Sequence, residues 1–414
     1  MLGIERIRRD PEGVRQATID KGFDGSVVDS LLSADERRIS ILREVEGLRG
    51  ERKRLTKADV VRGREIKTLL RERQDTLTTA NKTFINLMLR VPNPSASDVK
   101  VGTAADNEIL RKVGEPREFP FQVRDHVEIG SLTDTIDTDR GAKVAQSGFY
   151  YIKGEAALLE FALVQYAMGK LSEKGFTPVI TPNIVKPRIL VGCGFQPRGE
   201  EERQIYSIEG DDLDLIATAE ITLVGQHADE TIEAKNLPKK YVGYSYCYRR
   251  ERGSYGRDVR GILRVHEFRK VEMVIFCLPE ESDDWHEKIL GAEEELWQGL
   301  EVPYRVVKMA SGDLGSAAAR KYDLEAWMPS QNNYREVTST SNTTDFQSRR
   351  LGIKYRSGGK SDFLHTLNGT ALALGRTMIA IYENYQNPDG SVTVPKVLQP
   401  WMNGQKTIQI KKVC

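Results

Sequence analysis

The sequence predicts an α+β protein: an antiparallel helical hairpin near the amino terminus, then an antiparallel β-sheet flanked by helices. Three observations lead there. Residues 30–91 contain no proline and space their apolar side chains at alternating intervals of three and four, the rhythm of a helix with one packed seam. From about residue 121, short β-rich runs alternate with amphipathic helical runs, and strands adjoin across glycine-rich turns, as in the hairpins of an antiparallel sheet. No strand–helix–strand rhythm carries GxGxxG, GxxxxGKS or GxxxxGKT, which argues against a Rossmann or P-loop nucleotide site.

Size and composition set the frame. At ~100–200 residues per domain, 414 residues suggest two or three domains. Sixty-one Lys or Arg against sixty Asp or Glu leave a net charge of +1, so any nucleic-acid footprint has to be local. The opening MLGIERIRRDPEGVRQ has no apolar core or cleavage-like site and carries acids early, unlike a signal or transit peptide. The most apolar stretch, AALLEFALVQYAMGKL (156–171), is interrupted by Glu160 and Gln165 and is too short to span a bilayer. Cys193, Cys247, Cys277 and Cys414 show neither metal-type nor redox-type spacing. These features predict a cytoplasmic, reduced protein with no structural zinc and no membrane partner.

In chain order the hairpin comes first, over about residues 30–91. Ile41, Val45, Leu48, Arg52 and Leu55 form one seam, and Ile66, Leu70, Arg73, Leu77, Ala80, Phe84, Leu87 and Val91 continue it. The break falls near KADVVRG (57–63), where Gly63 can supply a turn. Two helices of ~27 residues would reach ~40 Å at 1.5 Å per residue. VPNPSASD (91–98) ends the hairpin, because proline cannot continue a helix and disfavours helix at the residue before it. Residues 34–73 carry thirteen Lys or Arg against eight Asp or Glu, a net +5. That charge fits a solvated coiled-coil face, or an arm that tracks RNA phosphates. Residues 99–120 read as a linker. The expected domains are 1–105, carrying the hairpin, and 115–414.

Four stretches of the second domain could carry chemistry. YRRERGSYGRDVRGILRVHEF (248–268) holds six arginines in twenty-one residues. Strand alternation puts Arg249 and Glu251 on one face and Arg250 on the other. Arg249 and Glu251 read as a salt-bridged pair, or as a phosphate grip beside an acceptor for a base or amine. The second strand, read within 261–276, places Arg264, His266, Phe268, Lys270 and Glu272 on one face, a set that needs a polar ligand or a network to satisfy it. In YREVTSTSNTTDFQSRRLGIKYR (334–356), Glu336 and Ser339 offer the hard oxygen ligands that suit Mg²⁺ beside nucleotide phosphates. In HTLNGTALALGRTMIAIYENYQ (365–386), Asn368-Gly369 reads as a tight turn and Arg376 as a residue in the second turn of an apolar helix, either snorkelling or facing a site. ATAEITL (217–223) reads as a strand with Thr218 and Glu220 on one face.

Together and in this order, these stretches resemble the seryl-tRNA synthetases of the bacterial type, a family of class II aminoacyl-tRNA synthetases. The resemblance spans nearly the whole chain. KGFTPVITPNIV (174–185) is similar to class II motif 1, with Pro182, and implies a homodimer. Residues 248–272 resemble motif 2, and 366–386 resemble motif 3. The resemblance implies ATP as substrate and Mg²⁺ as its metal. It implies L-serine and tRNA(Ser) as partners, together with tRNA(Sec). It gives Arg249, Glu251 and Arg376 the catalytic roles. Arg249, Arg250, Glu251, Arg264, Val265, Phe268, Glu336, Val337, Thr338, Ser339 and Arg376 would bind ATP. Within that set, Arg249 would hold the α-phosphate and the serine carboxylate, and Glu251 would accept from the adenine amine. Phe268 would stack on adenine, and Arg264 and Arg376 would hold the γ-phosphate. Glu336 and Ser339 would ligate Mg²⁺. Thr218, Ala219, Glu220, Arg249, Glu272, Asn368 and Thr370 would bind serine. The loop 252–260 would meet the 3′ end of tRNA, and the hairpin would track its long variable arm. The chain departs from the family's usual pattern at Arg252, Glu267, Thr340, Thr343 and Thr370-Ala371, and its hairpin reads shorter, by roughly three turns per helix.

Overall fold

The computed structural model describes residues 1–195, 204–251 and 260–411. Two short helices, Ile4–Arg9 and Pro11–Asp20, precede the hairpin, whose arms are α1 (Ser26–Arg54) and α2 (Val60–Arg90). At 29 and 31 residues each arm is about 45 Å long. Ile41, Val45 and Leu77 are buried between the arms, with Leu70 and Ala80 packed against them, as the heptad spacing predicts. Two positions of the expected seam differ. Arg52 is exposed, and Arg73 is an outward side chain that pairs with Glu44 at 3.0 Å. A guanidinium gains nothing from a narrow apolar seam when the flank offers a carboxylate. The arms turn at 55–59, and Gly63 sits inside α2 rather than in the turn. There Asp59 Oδ2 accepts from the backbone N and the hydroxyl of Thr56, both at 2.7 Å, a side-chain turn that needs no glycine.

The hairpin root is tied to the rest of the chain by buried polar contacts. Lys21 Nζ donates to the carbonyls of Asn93 (2.8 Å) and Ala318 (2.7 Å), and burial pushes its pKa down to about 7. Asn93 Nδ2 donates to the carbonyls of Ala317 and Thr343, and Arg350 donates to the carbonyl of Leu89. The root also has its own core of Leu2, Ile7, Val14, Val28, Leu31 and Met88. Excision of 41–80, closed by a short turn, removes the seam cluster and leaves that root intact. If the arm tracks RNA as the resemblance implies, this variant is expected to keep ATP–pyrophosphate exchange within about twofold of wild type and to raise the KM for tRNA at least about tenfold, through lost phosphate contacts. Steady-state charging assays would read both, and an unchanged KM for tRNA would exclude the arm as an RNA contact.

The second body is built on one eight-stranded sheet. Its strands are β1 (Glu108–Val113), β2 (Thr177–Ile180), β3 (Lys239–Tyr248), β4 (Glu267–Cys277), β5 (Tyr304–Lys308), β6 (Arg320–Met328), β7 (Asn333–Asn342) and β8 (His365–Ala373), in the spatial order β1-β5-β6-β7-β8-β4-β3-β2. Neighbours are antiparallel except β2 and β3. Among the helices around it are α3 (His126–Leu132), α4 (Glu155–Glu173), α5 (Ala219–Gly225), α6 (Ser282–Gly299) and α7 (Leu374–Asn384). The main core joins α4, α6 and α7 to the sheet around Trp297, Tyr304, Leu163, Tyr382 and Met378.

Three sequence expectations change here. The expected linker 99–120 contains β1, an edge strand whose side chains are almost all exposed, so it carries no burial pattern to read. Asn368-Gly369 lies inside β8 rather than in a turn, and Arg376 falls in the first turn of α7. Gly369 is there for close approach: a Cβ would lie 2.3 Å from Ile289 and 2.6 Å from Oε1 of Glu293 on α6. The run 217–223 is a helix rather than a strand, with Thr218 as N-cap accepting from the backbone N of Glu220 at 3.2 Å.

Candidate active site

A cleft opens on the sheet where β3, β4, β7, β8 and the start of α7 converge. Arg249, Glu251, Arg264, Val265, Phe268, Glu336, Val337, Thr338, Ser339, Thr370 and Arg376, all named from the sequence, line it. The guanidinium of Arg249 lies 5.2 Å over the ring of Phe268, and its Nε donates to the Ala217 carbonyl at 3.4 Å. Glu251 turns off the end of β3 with φ +45°, and its carboxylate pairs with Arg264 at 3.4 Å.

The metal-type pair depends on a strand irregularity. Residues three apart on a regular strand point to opposite faces. Thr338 pairs with Leu324 and Glu336 with Glu325, so Val337 is an extra residue in β7. That bulge re-aims the strand and turns Glu336 and Ser339 into the same cleft. Arg376 donates to the Glu336 carbonyl at 2.9 Å and pairs with its carboxylate at 3.2 Å. Desolvation pushes the Glu336 carboxyl up, but Arg376, Lys321 and Arg249 outweigh it, so the group is held below the usual carboxylate range. An ionised carboxylate and a hydroxyl suit a hard divalent ion. Among the described residues no group of three or more His, Cys, Asp or Glu is placed to hold a metal. Asp323 on β6 pairs with Ser339 in register and with Lys321 at 3.2 Å. Burial, opposed by Lys321 and reinforced by Glu336, pushes its carboxyl above the usual carboxylate range.

The residues named for serine lie deeper. Glu220, Glu272, Asn368 and Thr370 form one buried polar cluster. Asn368 and Gln347 donate to Oε1 of Glu220 at 2.9 Å and 2.7 Å, and Thr370 donates to Glu272 at 3.2 Å. A further bulge, at Ala371, keeps Thr370 directly opposite Glu272. Thr218 and Ala219 start the helix that carries Glu220. Burial, then the neighbouring charge of Glu272, pushes the Glu220 carboxyl up to about 7, against the bond from Gln347 and the charges of Lys270 and Arg249.

Two residues lie apart from these expectations. Arg250 stacks over Tyr206 at 5.4 Å and does not line the cleft, because its side chain leaves the opposite face of the strand end. His266 also stays out, hydrogen-bonded to Tyr206 at 2.9 Å and to the Arg249 carbonyl. Arg252 and Arg257, read from the sequence as loop residues, lie outside the described residues. Two residues absent from the expected site belong to it. Lys270 separates the cleft from the buried cluster, ion-paired to Glu272 and 3.3 Å from the Thr370 hydroxyl. Its place on the Phe268–Glu272 face was the available signal. Gln347 had none, since it reaches Glu220 across 127 residues of chain.

A family model described as the tRNA synthetase class II core domain (G, H, P, S and T) matches residues 204–385, and one described as the seryl-tRNA synthetase N-terminal domain matches residues 1–59. The serine–tRNA ligase of Rubrobacter xylanophilus is 46% identical over 97% of this chain and 98% of its own length. That of Dictyoglomus turgidum is 43% identical over the full length of both. The crystal structure of seryl-tRNA synthetase from Pyrococcus horikoshii complexed with ATP superposes with a TM-score of 0.92 at 39% identity, covering both chains completely. The cytoplasmic serine–tRNA ligase of Naegleria fowleri, in complex with AMP, gives 0.86 at 32% identity, covering 97% of this chain and 96% of that one.

Proposed function

Because the chain belongs to the seryl-tRNA synthetase family, we propose that this cleft is where it joins serine to ATP, with Arg249 at the junction of the two substrates. The carrying observation is the bulge at Val337, which brings Glu336 and Ser339 to one face beside Arg376 and Arg249. Phe268 would stack on adenine and Glu251 would accept from its amine. Arg264 and Arg376 would hold the γ-phosphate. The serine carboxylate attacks the α-phosphorus in line, displacing pyrophosphate and leaving seryl-adenylate. Arg249 would neutralise charge on the phosphorus as it develops. No side-chain nucleophile is needed, because positioning and charge stabilisation carry phosphoryl-type displacement. Glu336 and Ser339 would hold Mg²⁺, which when bound supplies charge neutralisation to the phosphates. The ribose hydroxyl of the tRNA 3′ end then attacks the seryl carbonyl, releasing AMP.

Serine recognition rests on the buried cluster. Glu272, Glu220 and Asn368 would take its ammonium and hydroxyl, and Thr370 would close the pocket. Alanine would leave those partners unpaired, so it is excluded. The raised Glu220 carboxyl yields a pH prediction. Without ligand, a carboxyl whose folded pKa is raised contributes stability that is full below the ordinary carboxylate range and lost as pH rises through about 7. An ammonium ligand favours the ionised form. The KM for serine is therefore expected to fall severalfold between about pH 6 and about pH 8, and Glu220→Gln is expected to flatten that change. Pyrophosphate exchange at varied serine reads this, and an equal slope in both proteins would remove Glu220 from serine binding.

The homodimer is supported by an apolar face. Leu158 and Phe161 on α4, Ile180 on the end strand β2, and Ile184 are exposed; Phe161 is 65% and Ile180 87% exposed. Exposed apolar side chains of this size are what an association surface presents, and Ile180 and Ile184 fall within 174–185. Residues before about 105 would form the tRNA-binding domain of a cytoplasmic enzyme. Among the described residues no helix is long and apolar enough to cross a membrane. The whole reading is tested by serine-dependent ATP–pyrophosphate exchange, followed by charging of tRNA(Ser) and tRNA(Sec) transcripts. Exchange without charging would point to loading of another carrier, and no exchange with any amino acid would point to a regulatory RNA-binding role.

A further inference from the structure

His126 takes no part in the chemistry above, yet its imidazole joins two walls of the cleft. It opens α3 and is 4% exposed. Its Nε2 lies 3.2 Å from the backbone N of Ile262. A backbone N–H can only donate, so Nε2 must present its lone pair. The ring proton then sits on Nδ1, 3.4 Å from Oε1 of Glu383. Glu383 is fully buried on α7, and its Oε2 accepts from the backbone N of Ser330 at 3.0 Å. Both ends of this chain of bonds reach the cleft. Ile262 begins the stretch Ile262–Val265 that forms one wall. α7 carries Arg376 in its first turn. The fit is close: Gly261 has φ +69°, and a Cβ there would lie 2.1 Å from Nε2 of His126.

We infer that His126 is a positioning residue for ATP, oriented by Glu383, which fixes the Ile262–Val265 wall against the helix that presents Arg376. The inference rests on the reading of this cleft as the ATP site. The serine cluster of Glu220, Glu272, Asn368 and Thr370 stands on α5, β4 and β8 and takes no bond from His126, so the two substrates should respond differently. His126→Phe keeps a ring but leaves the Ile262 N–H and Glu383 without their partner. His126→Gln can still offer an oxygen to Ile262.

Pyrophosphate exchange on the full-length chain, with ATP and serine varied independently, tests this. His126→Phe is expected to raise the KM for ATP about tenfold, the scale of one buried polar group left unpaired, with the KM for serine within about twofold. His126→Gln is expected to recover most of the loss. An unchanged KM for ATP in His126→Phe overturns the inference. So does an equal rise for both substrates with no recovery in His126→Gln, which would mean general loosening. If His126→Phe does not fold, Glu383→Gln changes no volume and carries the same test: the KM for ATP should rise and that for serine should not. Wild-type protein without serine-dependent exchange would overturn the cleft reading as well, whereas normal wild-type exchange with an indifferent His126→Phe overturns only the role of His126.

Discussion

Arg249→Ala is expected to abolish serine-dependent exchange, lowering kcat/KM at least about a thousandfold while the chain stays folded. The size follows from position. The charge of Arg249 acts on both Glu220 in the buried cluster and Glu336 in the cleft, so under the proposed reading one guanidinium would face both reacting groups. Removing one preorganised donor from a developing anion typically costs ~3–4 kcal/mol, about two to three powers of ten in rate. Loss of the grip on the serine carboxylate adds to that. Stability should change little, because among the described residues the side chain makes one long bond, to Ala217 at 3.4 Å, and one ring contact, to Phe268. Arg249→Lys restores charge but not the planar fork, and should recover only part of the rate. Thermal melts and exchange on the same preparations separate folding from chemistry. Exchange near the wild-type rate in Arg249→Ala would remove this residue from the mechanism.

What could be read in advance depended on how far each signal travels along the chain. The hairpin was legible because burial repeats within each helix and Pro92 stops it; only the seam places of Arg52 and Arg73 and the position of the turn were misread. The β3–β4 pair was legible through alternation, which put Phe268, Lys270 and Glu272 on one face. Two kinds of feature were not. A bulge has no local signature, so REVTS gives no hint that Val337 is an extra residue, and strict alternation would have set Glu336 and Ser339 on opposite faces. Short elements with mixed propensity were misread as well. ATAEITL is rich in β-branched residues, and only its threonine in N-cap position hinted at a helix. Contacts such as Gln347 to Glu220 or His126 to Glu383 join residues far apart in sequence, and tertiary packing alone creates them.

The bulge leads to the second large effect. Glu336→Gln is expected to lower exchange about 10²–10³-fold, the several kcal/mol that metal-assisted charge neutralisation supplies at phosphates. The substitution keeps the side-chain volume and leaves the Arg376 bond to the Glu336 carbonyl at 2.9 Å in place. The arginine therefore stays near its position while the negative charge that Arg376, Lys321 and Arg249 share is removed. Two causes of a slow variant can then be told apart by titrating Mg²⁺. If Glu336 is a ligand, Glu336→Gln should need several times more Mg²⁺ for half its maximal rate, and Ser339→Ala should shift in the same direction by less. Arg376→Ala, which would remove the proposed phosphate contact and no oxygen ligand, should lose rate with its Mg²⁺ requirement unmoved. A Glu336→Gln variant with the wild-type Mg²⁺ requirement would mean that the carboxylate serves only to steady Arg376, and that the strand irregularity at Val337 positions a guanidinium rather than a metal.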